Sequence, residues 1–258
     1  HGLIGNVPSR VIVLSDHVGR FVEEHGRVDR RRIRRVYYGL DPAPFEAAAL
    51  LPQAEKQAAR AEFGFGPNDI VFTCIARFAP QKAHDVLLRA LLRARQLVTE
   101  GERQPVTGDA SRSGDSAGES GHVPNGPRLR LVLVGDDPFG DGRTRAAALA
   151  RGLGLGAAPE MPVLPSSDPA LFLGIRRDIP ALLAACDVFV MASRWEGLGL
   201  VFLEAMAARR PCLSTRVSAI PEVVVDGETG LLVPPDDPEA LAQGMARLAS
   251  DPALCAQL

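Results

Sequence analysis

Cysteine is scarce and unpatterned in this chain. Its 258 residues hold four, Cys74, Cys186, Cys212 and Cys255, with no Cys-x-x-Cys pair, which excludes a cysteine-built metal framework. Three of the four lie in apolar stretches and read as reduced core thiols of a cytoplasmic protein. Histidine is nearly as rare: His17, His25, His84 and His122 form no spaced cluster, and each reads as a surface or helix-end residue rather than a ligand or a base. No apolar run is long enough for a bilayer. Ile179 to Met191 is interrupted by Asp187 and falls short of the roughly 20 residues that a spanning helix needs. Neither charge prevails, with 29 basic against 31 acidic residues, so nothing global argues for nucleic acid or an anionic membrane as partner. The chain starts without methionine and without the regions of a signal peptide, and it reads as a fragment.

What is present is apolar and alternating. At 46% hydrophobic the chain can bury a large core, as one domain plus part of another. Arg10 to Ser15 reads as a strand ending in a helix-capping serine, with a helix from Asp16 to Glu24 and no sheet of its own to join. The run Arg30-Arg31-Arg32-Ile33-Arg34-Arg35 reads as a solvated flank against another domain, Val36 to Pro42 as a short strand and turn, and Pro44 to Phe63 as one linker helix. From Ile70 onwards strands and helices alternate. Strands are expected at Ile70–Ala76, Leu129–Gly135, Ala170–Gly174, Asp187–Ala192, Pro211–Thr215 and Gly230–Val233. Helices are expected at Ala83–Gln96, Arg143–Arg151, Ile179–Ala185 and Pro238–Ala249, with a short one near Ile220. This rhythm predicts an α/β fold with a parallel sheet covered on both faces. Between Thr99 and Pro127 the chain is rich in Gly, Ser, Asp and Pro, and reads as a disordered insertion.

One stretch organises the rest. Ser193 to Ala207 follows a buried strand, turns on Gly197 and Gly199, and enters a helix, with Glu196 and Glu204 near its ends. In an open parallel sheet such a turn lies where ligands bind, and bare amides at a helix start suit a phosphate. The two acids are open to chemistry, ligand holding or capping. Arg77 and Lys82 stand just beyond another strand end, where a guanidinium fork and an ammonium could clamp a diphosphate or simply form a basic surface loop. Gly135-Asp136-Asp137 lacks the further oxygen ligands a hard cation wants and reads as structural. Trp195 is the only tryptophan and either walls the pocket or supports the turn.

Six segments, in order, carry a resemblance: Ala76 to Lys82, Val134 to Asp137, Phe172 to Gly174, Ala185 to Val190, Ser193 to Ala207, and Ile220 to Val233. Together they resemble the C-terminal donor-binding domain of retaining glycosyltransferases of family 4, with the two-domain GT-B fold. The similarity implies a Rossmann-like domain over residues 46–258 preceded by a tail of the N-terminal, acceptor-side domain and a crossover in residues 1–45. It implies transfer of a sugar from a nucleoside diphosphate donor to an acceptor that the sequence does not identify, with retention of configuration and no cofactor or essential metal. Any membrane association would be peripheral, through the missing N-terminal domain, and the fragment alone would be inactive. Arg77, Lys82 and Glu196 take the catalytic positions by resemblance, the glutamates matching a Glu-x7-Glu motif. Glu196 would reach the sugar hydroxyls, Glu204 the ribose hydroxyls, the amides of Gly197, Leu198, Gly199 and Leu200 the diphosphate, and Arg176 the base. Glu222 belongs by resemblance to a loop beside the donor, with a helix-capping acid as the other reading. Two departures stand out: Ala83 follows the lysine where the family has glycine, and Ser218-Ala219 replaces a glycine pair. The rival readings are a sugar-nucleotide epimerase or glycan phosphorylase of the same fold, and a non-catalytic module that kept the pocket.

Overall fold

The structure is a computed structural model that describes residues 10–102, 126–138, 140–156 and 166–258. The expected insertion therefore lies largely outside the described residues, as does His122. The described residues form two parallel sheets. The smaller pairs β1 (Val11–Val13) with β2 (Ile33–Arg35) in parallel, Val11 opposite Ile33. The opening strand is thus not an orphan. Its partner is the basic run itself, because Arg34 and Arg35 both stay exposed on this two-stranded ribbon while Ile33 is half buried. Val36 adds one last ladder bond to Val13 (2.9 Å), and Val36, Tyr37 and Tyr38 then run on exposed instead of forming the expected strand. Between β1 and β2, α1 (Asp16–Gly26) begins at Ser15, whose Oγ accepts from Val18 N.

The stretch expected as one linker helix is two, α2 (Ala43–Ala49) and α3 (Gln53–Glu62). Pro52 explains the break: it has no N–H to donate, and it disfavours helical geometry at the residue before it.

The larger sheet has six strands, all parallel, in the order β5-β4-β3-β6-β7-β8. They are β3 (Asp69–Ile75), β4 (Arg128–Val134), β5 (Ala170–Gly174), β6 (Val188–Met191), β7 (Cys212–Thr215) and β8 (Gly230–Val233). Every residue of β5, β6 and β7 is buried, as a sheet covered on both faces requires. The remaining helices are α4 (His84–Glu102), α5 (Gly142–Gly152), α6 (Ile179–Ala185), α7 (Leu200–Ala207), α8 (Pro238–Ser250) and α9 (Pro252–Gln257). Helix α4 packs on α8 and α5, whereas α2 packs on α6 and α7. α4 runs past its expected end, to Glu102.

The chain steps outwards from β3 to β4 and β5, then returns to the far side of β3 and steps outwards again through β6, β7 and β8. The strand order therefore reverses between β3 and β6, and in an open α/β sheet ligands bind beyond the carboxyl ends of the strands at such a switch point. The loop holding Arg77 and Lys82 leaves β3, and the loop holding Glu196 leaves β6. Sheet topology alone brings the two candidate segments together.

Candidate functional site

The loops after β3 and β6 are zipped to each other. Arg194 N donates to Gln81 O (2.8 Å), Gln81 Nε2 to Trp195 O (2.7 Å), and the Arg194 guanidinium to Pro80 O (2.6 Å). Arg194 also bridges Asp85 and Asp236. At the end of this zip the Lys82 ammonium pairs with Glu196 Oε1, which also accepts from Ser193 Oγ at 2.7 Å. Both partners are withdrawn from water, with side chains 13% and 7% exposed. Both bonds go to Oε1, so Oε2 takes no hydrogen bond from the described residues.

Close approach of backbone explains one glycine here. A Cβ on Gly135 would stand 1.9 Å from Ala76 O, so the chain leaving β3 can pass the end of β4 only there. The neighbouring acids are structural, as expected: Asp137 accepts from Gly142 N (3.2 Å) and Arg143 N (3.0 Å), capping α5. Ala83 lies at φ 48° and Ser218 at φ 50°. The two departures from the family's glycines thus keep the left-handed backbone that glycine would favour, at a strain of about 1–2 kcal/mol each, and α4 still starts directly after Ala83.

Gly199, at φ 81°, is the N-cap of α7 and offers no side-chain cap. Among the described residues the amides of Gly197, Leu198, Gly199 and Leu200 meet no acceptor. An uncapped helix start with several unpaired N–H groups is a receptor for negative charge. Arg77 is exposed and makes no ion pair with the described residues. Glu204 lies on the second turn of α7, half buried, and burial alone pushes its carboxyl above the usual range. It too lacks a counter-ion among the described residues.

The other candidates are engaged elsewhere. Arg176 pairs with Asp178 and lies over the Phe63 ring, 5.8 Å to the centroid. Glu222 caps a helix, as the second of its two readings has it, but a distant one: its oxygens accept from Asp16 N (2.8 Å) and His17 N (2.7 Å) of α1. Trp195 is 58% exposed. His84 heads α4 but is buried, not superficial, and stacks on Phe78 with ring centroids 4.6 Å apart. Burial, helped by the Lys82 charge and opposed by Asp85, pushes its pKa down to about 4. Sequence reasoning missed Gln81, Ser193, Arg194 and Ser15 as builders of the site. Only the helix-capping role of Ser15 had a local signal.

Beside this site a cleft of about 480 Å³ opens between Phe78, Pro80, His84, Arg145 and Arg194. Among the described residues no group of three or more His, Cys, Asp or Glu side chains is placed to hold a metal ion, and no helix is long and apolar enough to cross a membrane.

A family profile described as Glycosyl transferases group 1 matches residues 121–251. The chain belongs to the group 1 glycosyltransferases. A D-inositol 3-phosphate glycosyltransferase of Rhodococcus opacus is 32% identical over 229 residues, covering 86% of this chain and 44% of that protein. A GDP-mannose-dependent alpha-(1-6)-phosphatidylinositol monomannoside mannosyltransferase of Mycolicibacterium smegmatis is 30% identical over 200 residues, covering 75% of this chain and 42% of that protein. This group 1 chain thus spans less than half the length of these curated relatives. Among solved structures, Anabaena HepE in complex with UDP and glucose superposes with a TM-score of 0.75 at 23% identity, over 99% of this chain and 57% of that one. The C-terminal domain of a group 1 family protein, LpcC, from Francisella tularensis superposes with a TM-score of 0.59 at 23% identity, over 85% and 92%. The fold is that of the GT-B glycosyltransferases, and the chain corresponds to their C-terminal domain.

Proposed function

We propose that this chain is the donor-binding part of a retaining family 4 glycosyltransferase that moves a sugar from a nucleoside diphosphate to an acceptor. One observation carries the reading: at the switch point, the largely buried Lys82–Glu196 pair stands at the end of the zipped loops, and the next four amides along the chain meet no acceptor among the described residues. A cation, a sugar-reading acid and an anion-binding helix start on adjoining loops suit a sugar diphosphate. The D-inositol 3-phosphate glycosyltransferase and mannosyltransferase relatives, and the UDP held by HepE, support it.

In this reading Arg77, Lys82 and the amides of Gly197 to Leu200 take the diphosphate. Because negative charge grows on the leaving diphosphate as the glycosidic bond breaks, these groups stabilise the transition state more than the bound donor. They supply the countercharge from the protein, so transfer needs no metal and survives EDTA. Glu196 Oε2 accepts from a sugar hydroxyl, Glu204 from the ribose, and Arg176 lies toward the base. The free thiols Cys74, Cys186, Cys212 and Cys255 fit a reducing cytoplasm. Acceptor binding belongs to the N-terminal domain of the intact enzyme, so these residues alone bind donor and transfer nothing.

Calorimetric titration of the chain with UDP, GDP and ADP tests the pocket and ranks the bases together. Binding of at least one, weakened about 10- to 100-fold by Arg77→Ala through loss of a charge-assisted contact, is the expected result. Equal affinity in wild type and in Arg77→Ala, or no binding of any of the three, overturns it.

A further inference from the structure

We propose that Ser15 and Glu222 form one clamp that seats helix α1 on the donor turn and fixes the direction of that turn's amides, making both of them positioning residues for donor binding. The proposal rests on the donor-site reading above. Ser15, fully buried just after β1, donates its hydroxyl to Gly197 O at 2.7 Å while accepting from Val18 N at 3.2 Å. Glu222 stands on the turn Ile220–Glu222 after β7, anchored by the fully buried Ile220, and takes the amides of Asp16 and His17 with its two oxygens. Gly19 N is satisfied by Ser15 O. The first four amides of α1 are therefore all used, two of them by a carboxylate more than 200 residues further along the chain.

The consequence falls on Gly197. It has open space where a Cβ would be and no positive φ, so nothing in its own side chain or packing dictates its conformation, and glycine backbone is the most permissive. In a trans peptide the carbonyl and the following N–H point in opposite directions. Committing Gly197 O to Ser15 therefore turns Leu198 N–H away from α1, where among the described residues it has no acceptor. Without the hydroxyl that peptide plane is free to rotate. A diphosphate then binds only the correctly turned fraction, and affinity drops by that fraction. Glu222 contributes at one remove, by holding α1 and with it Ser15 over the turn. The clamp thus ties the segment that the family resemblance assigns to the acceptor-side domain to the loop proposed to hold the donor.

The test combines amide hydrogen exchange with calorimetry on Ser15→Ala, Glu222→Ala and Glu222→Gln. Glu222 is exposed, so its variants fold, and circular dichroism checks Ser15→Ala. In Glu222→Ala the amides of Asp16 and His17 exchange faster, those of Leu198 to Leu200 follow, and UDP affinity falls about 2- to 10-fold, the scale of one hydrogen bond. Glu222→Gln, keeping one acceptor oxygen, falls between. Ser15→Ala gives the same UDP loss, and the double variant is no worse than the worse single one, because both remove one device. Two results overturn the clamp: Glu222→Ala weakening UDP while Ser15→Ala changes neither affinity nor exchange at Leu198 to Leu200, which marks Glu222 as a direct donor contact, or unchanged exchange at Asp16 and His17. Should wild type bind no nucleotide, the donor reading fails by itself, while faster exchange at Leu198 to Leu200 in Ser15→Ala still reports the clamp.

Discussion

Removing either member of the Lys82–Glu196 pair leaves a charge that has lost both water and partner. With side chains only 13% and 7% exposed, an uncompensated member costs about 3–5 kcal/mol. Glu196→Gln keeps the shape and an oxygen for the Ser193 hydroxyl, so its cost is almost wholly electrostatic, toward the lower figure of about 3 kcal/mol. Lys82→Met keeps the stem and strands the carboxylate at a similar cost. The double variant Lys82→Met with Glu196→Gln has no charge left to strand, and should recover up to about 3 kcal/mol of the summed loss as coupling between the two sites. A domain of ordinary stability, about 5–15 kcal/mol, survives each single change well enough to measure. Urea unfolding at pH 7 of the four proteins gives the cycle directly, provided the slope is constant. Ligand titration adds the functional arm: Lys82→Met weakens UDP itself, whereas Glu196→Gln weakens a UDP-sugar more than UDP. Stabilities that add to within about 0.5 kcal/mol would show the pair to be electrostatically idle and refute the reasoning.

Three further outcomes are expected. His84 is held neutral, with its pKa moved from 6.5 to about 4; its contribution is complete above pH 6.5 and is lost as pH falls toward 4, by roughly 3 kcal/mol at about 1.4 kcal/mol per pH unit. Chemical denaturation of His84→Gln at pH 7 and pH 4 should show a smaller acid loss than wild type. The two glycines of the turn should part company. Gly199→Ala meets both a φ of 81° and Phe202 Cδ2 at 2.7 Å and should lose about 2–4 kcal/mol, whereas Gly197→Ala should be neutral or gain up to about 1 kcal/mol, as thermal melts would report. Burial raises the Glu204 carboxyl, so the folded state favours its protonated form and loses stability as pH rises through that raised value. Glu204→Gln should therefore melt higher than wild type at pH 7, match it near pH 3, and still bind nucleotide about tenfold more weakly through loss of a charge-assisted bond.

The strand, turn and helix from Val188 to Ala207 were legible because the signals are local: an apolar run for a central strand, glycines for the turn, apolar spacing for α7. Sheet order, and with it the meeting of Lys82 with Glu196, was not legible in local pattern, since the two lie 114 positions apart. Where local rules failed, a tertiary contact had overridden them. Strand β2 hides in a run of arginines because its partner β1 supplies the ladder and solvent takes the charges. Glu222 looked like a donor-side or capping acid, and nothing near it in sequence names Asp16 and His17 as the amides it caps. Gln81 and Arg194 lie inside the quoted segments with no role assigned to them, yet they hold the β3 and β6 loops together. The family's missing glycines misled least, since Ala83 and Ser218 adopt the glycine conformation at a strain that the surrounding packing sustains.

An ion pair at the centre of the proposed diphosphate site looks self-defeating, because it cancels the lysine before the ligand arrives. The geometry answers that objection. An ammonium carries three protons, and Glu196 takes one of them through Oε1, so two remain for phosphate oxygens. The carboxylate therefore fixes where the remaining protons of Lys82 point, while the zip through Gln81 and Arg194 holds the two loops at the spacing the pair requires. In the proposed reading Arg77, exposed and without an ion pair among the described residues, is the cation that meets the ligand first, and Lys82 the one whose position is set in advance, where charge develops on the leaving group.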